Sequence, residues 1–374
     1  MIAAVLLAVS TFPSMLPRGV VTQLVESAVL TGAGWRVDRW AGARGPGPLL
    51  VAPVGAWVAV TLGMQDAQRL DTGLASVGWA PLAVAGTAIV LAGRRGRERG
   101  PAATRVAVAL TAALVVSAGG FAAGEAAAGG LPGGAVTPTA DGGPGVVPVH
   151  VAVPLGPGSP GERADAAVRA LREAGGLARR TVVVVVPTGS GWADPIALAT
   201  LEAATGGDVA TVTLAYDDAP SWLSYLTARD DAVATTGALL AAVGRTRVPG
   251  TRVLLYGQSL GALAGAEAWA RHPAAADGAL WVGPPADTRT AGGTVLAHVS
   301  DPAVVWSPRL LVAPPDRPTG TPWVPLVSFL QTSVDLLGAV GAPAGHGHHY
   351  GAEQRPAWDL LLRTGSCPAT PRCP

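Results

Sequence analysis

The stretch RVLLYGQSLGALAGAEAWARH, Arg252 to His272, decides how the C-terminal half of this chain folds. An apolar run ends in a serine between two glycines, and a helix rich in Ala and Gly follows. Gly257-Gln258-Ser259-Leu260-Gly261 is a G-x-S-x-G pattern, weak alone but informative between a strand and a helix. In that setting the tight turn strains the serine backbone and lifts the hydroxyl above the sheet edge, at a helix N-terminus. The simpler role for such a serine is an ordinary helix N-cap.

Working outward, short β-branched runs alternate with helical stretches from Val146 on. Strands are expected at 147–153, 181–187, 208–216, 252–257, 279–283 and 294–300, with helices at 161–174, 194–204, 222–243 and 260–271. Several strands are apolar throughout, as strands covered on both faces are. The alternation predicts an α/β architecture with a mostly parallel sheet and helices on both faces. RLLVAPP (309–315) is a candidate last strand, and Val324–Val340 reads as a helix suited to a lid.

A nucleophilic serine needs a base, and the base needs an orienting carboxylate. Asp301 directly follows the strand at 294–300, two strands past the serine. GHGHHY, Gly345 to Tyr350, then holds three of the six histidines. His348 is the chosen base, in a G-x-G-H-x-aromatic setting, with His346 as runner-up. Asp301 has a rival role as a turn cap before Pro302, and the histidine cluster has one as a metal site. No matching Asp, Glu or Cys set stands out, so a metal is not expected. His298, pointing from a strand, reads as a packed or hydrogen-bonded core histidine. Leu260 N–H, with Gly189 or Ser190 N–H from the loop TGSGW, supplies the expected oxyanion hole.

The first third has a different character. Over the 374 residues, hydrophobic types make up 49% and charged ones 14%, well below the roughly 25% charged of ordinary soluble domains. Mean hydropathy is +0.38. Gly19–Trp35, Pro48–Met64, Gly73–Ala92 and Val106–Ala123 approach the roughly 20 apolar residues of a membrane span, and Ile2–Met15 is a shorter fifth candidate. Arginine-rich connections alternate with a poorer one. The positive-inside rule then places everything after Ala123 outside the cell membrane. The expected organisation is a transmembrane helical region (1–123), a Gly/Pro/Ala-rich linker (124–145) and a catalytic domain (146–374). An oxidising exterior would let Cys367 and Cys373 close a disulfide. The net charge of +1 gives no reason to expect a nucleic-acid partner.

PTGSGWADP (187–195), APSWLS (219–224), YGQSLGA (256–262), DGALWVGPP (277–285), SDPAVVW (300–306) and GHGHHY (345–350) occur in this order. The set resembles the actinobacterial membrane-anchored α/β-hydrolases, which join a multi-span N-terminal region to a C-terminal hydrolase domain. TFPSMLPRG extends the likeness loosely to the N-terminal half. The resemblance implies an α/β-hydrolase fold, a serine-hydrolase site on Ser259, Asp301 and His348 or His346, and no cofactor. The leading expectation is a membrane-tethered esterase or lipase-like enzyme cleaving a carboxylic ester at the outer face. Its partners would be an ester or lipid-like substrate and the lipid bilayer. Trp192, Trp222 and Trp281 are the residues behind the lipid part. The competing readings are an acyltransferase with the same triad, a non-catalytic envelope protein and a transporter.

Overall fold

The computed structural model describes residues 2–12, 14–16, 20–40, 48–71, 146–189, 191–290 and 292–364. The chain divides into two compact units, Met1–Gly130 with Pro308–Pro343, and Leu131–Ser307 with Ala344–Pro374.

The second unit contains a six-stranded, wholly parallel sheet. Its strands are β1 (Val149–Val153), β2 (Thr181–Val186), β3 (Val209–Leu214), β4 (Arg252–Gln258), β5 (Gly278–Val282) and β6 (Thr294–Leu296). Their spatial order is β1-β3-β2-β4-β5-β6. Every residue of β2 and β3 is buried, which explains why TVVVVV carries no polar alternation: both faces are covered. Val182, Val184 and Val186 enter one core, against the helices Pro160–Glu173, Arg229–Thr246 and Leu260–Arg271. Val183 and Val185 enter the other, with Leu201, Tyr350, Trp358 and Leu361.

Local signals place the helix starts. Ser159 and Glu162 form a reciprocal capping box, and Asp194 caps the helix Pro195–Thr205 by accepting from Ile196 N–H at 2.9 Å. The single helix expected over 222–243 is two, Ser221–Thr227 and Arg229–Thr246. From β2 the chain runs to β3 on one side, then crosses to β4 on the other. Ligands bind beyond the carboxyl ends of parallel strands at such a reversal. Here it lies between β2 and β4, which pair through Val186 and Gly257.

Among the described residues, the first unit combines α1 (Ile2–Ser10), α2 (Val20–Trp40) and α3 (Pro48–Asp71) with the much later helix Val327–Gly338. Buried amide and carboxylate side chains hold its described helices together. Gln23 donates to Ser10 carbonyl at 2.8 Å, Gln65 to Thr11 carbonyl at 3.1 Å and Gln68 to Ser14 carbonyl at 2.7 Å. Asp335 accepts from Met15 N–H at 2.8 Å, and Gln331 donates to Val9 carbonyl at 2.5 Å. The segment expected as a lid thus belongs to this unit, and 309–315 forms a 3-10 turn (Pro308–Leu311) rather than a strand.

No helix among the described residues is long and apolar enough to cross a membrane. Helix α1 has nine residues, which rise only about 14 Å against a hydrocarbon core of about 30 Å. Helix α2 carries Gln23, Glu26, Arg36, Asp38 and Arg39, and α3 turns polar after Met64. This overturns the all-α transmembrane region as part of the fold class. With it go the membrane tether, the bilayer as partner, the multi-pass localisation and the outer-face placement. Gly73–Ala92, Val106–Ala123, the linker 124–145, Cys367 and Cys373 lie outside the described residues.

Candidate active site

Ser259 stands at the carboxyl end of β4, beside the sheet's reversal point. Its backbone has φ 54° and ψ −125°, a region that a residue with a side chain occupies only under strain of about 1–3 kcal/mol. The flanking glycines make the turn possible. A Cβ on Gly257 would collide with the Gly261 carbonyl, and one on Gly261 with the Val186 carbonyl. The serine N–H is anchored to Val282 carbonyl on β5 at 2.9 Å. Leu260 opens the helix Leu260–Arg271, so its N–H has no intrahelical acceptor. The serine is not the ordinary cap of that helix, for its side chain makes no cap hydrogen bond.

Asp301 and His348 come together. Asp301 is fully buried, and its Oδ2 lies 2.7 Å from His348 Nδ1. Asp301 Oδ1 accepts from Ala303 N–H at 2.9 Å, which caps the turn Pro302–Val304. The turn-cap role and the pairing with histidine therefore coexist on one carboxylate, one oxygen each. His348 Nε2 is buried and has no hydrogen-bond partner among the described residues, Ser259 included. Catalytic hydrogen bonds are often long before substrate binds and tighten in the complex.

The other histidines of the loop have different partners. His346 and His349 face each other across a tight turn, where His349 N–H donates to His346 carbonyl at 3.2 Å. No group of three His, Cys, Asp or Glu among the described residues is arranged to hold a metal ion. His298 is tied at both nitrogens, to Gly347 carbonyl at 2.9 Å and to Glu353 at 3.0 Å. Burial opposes ionisation of Glu353, but hydrogen bonds led by Gly351 N–H, together with His298, hold its carboxyl below the usual range.

Gly189 lies in the loop after β2 at φ 153°, where a Cβ would meet Ala219 carbonyl and Ser224 Oγ at 2.9 Å. The helix Ser221–Thr227 is therefore pressed against this loop. Ser190 lies outside the described residues. Of Trp192, Trp222 and Trp281, the last is wholly buried in the core, while Trp192, in the loop after β2, and Trp222, in the helix Ser221–Thr227 after β3, are exposed.

Two residues near the base escaped sequence reasoning. Gly283, at φ 52°, sits against the His348 and Tyr350 rings, and Tyr350 OH lies 2.6 Å from Asp301 Oδ2. The glycine of GPP after β5 was a visible signal for a tight turn, though nothing in the sequence named the rings it faces.

A family model described as "Alpha/beta-hydrolase family" matches residues 156–294 and 290–370. The chain belongs to the alpha/beta-hydrolase family. It is an enzyme, a serine hydrolase acting on ester bonds, which sets aside the non-catalytic envelope protein and the transporter. The match covers the C-terminal domain alone, so the resemblance to a membrane-anchored family holds for the hydrolase half and not for a multi-span region. No curated protein and no solved structure matches the hydrolase.

Proposed function

We propose that the hydrolase cleaves a carboxylic ester through an acyl-enzyme on Ser259, with His348 as base and Asp301 as the acid that orients it. The observation that carries this is the His348–Asp301 pair. A wholly buried carboxylate takes Nδ1–H at 2.7 Å, which fixes the tautomer and leaves the Nε2 lone pair for a proton.

His348 Nε2 takes the Ser259 hydroxyl proton as Oγ attacks the ester carbonyl. The tetrahedral oxyanion receives hydrogen bonds from Leu260 N–H and Gly189 N–H, with the helix dipole adding favourable charge. Collapse breaks the bond to the alcohol oxygen, which leaves with the proton from His348. Water, deprotonated by the same imidazole, then attacks the acyl-enzyme, and Ser259 recovers its proton.

The test is labelling by a fluorophosphonate, read beside p-nitrophenyl ester hydrolysis. Wild type is expected to label and turn over, and Ser259→Ala to do neither while keeping the wild-type circular dichroism. Equal labelling of both proteins would place the nucleophile elsewhere. An unlabelled, inactive but folded wild type would reject the triad.

A further inference from the structure

We infer that Tyr350 is a positioning residue for the reaction, acting through Asp301; this rests on the triad proposed above. Two hydrogen bonds of its hydroxyl have directions fixed by chemistry. The backbone N–H of His298 lies 3.2 Å from Tyr350 Oη and has only its proton to give. The hydroxyl therefore accepts there and spends its own single proton on Asp301 Oδ2 at 2.6 Å.

That oxygen is the one that also receives His348 Nδ1–H at 2.7 Å. One carboxylate oxygen is thus shared between the base and the phenol, while the other oxygen is held by Ala303 N–H. The three donors fix the carboxylate plane, and the phenol sets how much of Oδ2 is left for the imidazole.

The phenol is itself held. His298 stacks on the Tyr350 ring at 4.1 Å between centroids and 19° between planes. The same imidazole grips Gly347 carbonyl and Glu353, so the residue preceding His348 is tied to the ring that supports its acid. Tyr350 and His348 meet edge to face at 5.8 Å and 83°. The proton of the phenol goes to Asp301, and its effect on the reaction passes through that carboxylate.

The experiment compares wild type with Tyr350→Phe, which keeps the ring and its stacking but removes the proton. A hydrogen bond to a charged group carries enough energy for about a tenfold effect. The expected result is a kcat lowered about tenfold with KM within about twofold. The His348 Nδ1–H proton resonance of 15N-histidine-labelled protein should move as Oδ2 is released to a single donor.

Replacing Tyr350 by 4-aminophenylalanine, which restores a donor of similar reach, should return kcat to within about threefold of wild type. Should Tyr350→Phe not fold, the 4-aminophenylalanine protein is compared with one carrying 4-methylphenylalanine, of similar bulk but with no proton to donate. An unchanged kcat and an unmoved resonance in a folded donorless variant would overturn the inference, as would equal kcat for the amino and methyl proteins. Failure of the triad itself is recognised separately, by a wild type that neither labels nor turns over.

Discussion

Gly283→Ala should disable the enzyme without replacing a reacting group. At φ 52° a residue with a side chain costs about 1–2 kcal/mol in backbone conformation. The new Cβ would stand 2.7 Å from Tyr350 Cε2, 2.8 Å from His348 Cε1 and 3.0 Å from Tyr350 Oη. Carbon atoms rest at about 3.5–4.0 Å, so the His348 ring must retreat by about 0.7 Å or more, or the strand end must yield. Overpacking of this kind costs about 1–3 kcal/mol, which with the backbone term gives about 2–5 kcal/mol of lost stability. The catalytic effect is separate. A misplacement approaching 1 Å can cost about 100-fold in rate, so kcat should fall by about that factor at temperatures where the variant is still folded. Urea melts and p-nitrophenyl ester turnover on the same preparation read both quantities, and fluorophosphonate labelling should slow in parallel. A kcat within about threefold of wild type, in protein destabilised as expected, would refute the idea that Gly283 is where the base is seated.

Ser259→Gly should abolish labelling yet raise stability by about 1 kcal/mol, because glycine takes the strained φ and ψ of the elbow with little cost; an unchanged or lower melting temperature would contradict the strain. The Ser224 hydroxyl, 2.7 Å from Asp217 Oδ2, is the chief reason that carboxyl lies below the usual range. A depressed folded pKa contributes stability that is present above the unfolded value and lost as pH falls through the folded one. The stability deficit of Ser224→Ala should therefore be larger at about pH 6 than at about pH 2.5, and a deficit independent of pH would show that the hydroxyl's bonds to Ala219 and Pro220 carbonyls matter instead.

The α/β half was legible because its signals were redundant. TVVVVV could be a strand buried on both faces, and the G-x-S-x-G run had a strand before it and a helix after it. The break at Ala228 was harder, since no Gly or Pro marks it; the acidic pair Asp230 and Asp231, which complements a new helix N-terminus, was the available cue. RLLVAPP misled because a short apolar run has no period by which to tell strand from turn. The pairing of His348, rather than His346, with Asp301 was not decidable from spacing: one residue of turn geometry separates the two. The membrane expectation rested on apolar content, which does not say which residues a helix turns inward. In the first unit those include Gln23, Thr61 and Gln65, which are buried.

The N-terminal helices are completed by a segment made more than three hundred residues later. Met15 N–H to Asp335 spans 320 residues and Gln331 to Val9 carbonyl spans 322. During synthesis these two bonds of the first unit must therefore wait until all six strands of the hydrolase sheet have left the ribosome. A nascent chain stalled before Pro308 would hold a hydrolase core without its base and an N-terminal unit without the helix Val327–Gly338, a ready client for a chaperone. Cutting the gene at the start of the sheet carries the mirror-image cost, since the helix Val327–Gly338 would then present Gln331 and Asp335 to partners that are no longer encoded.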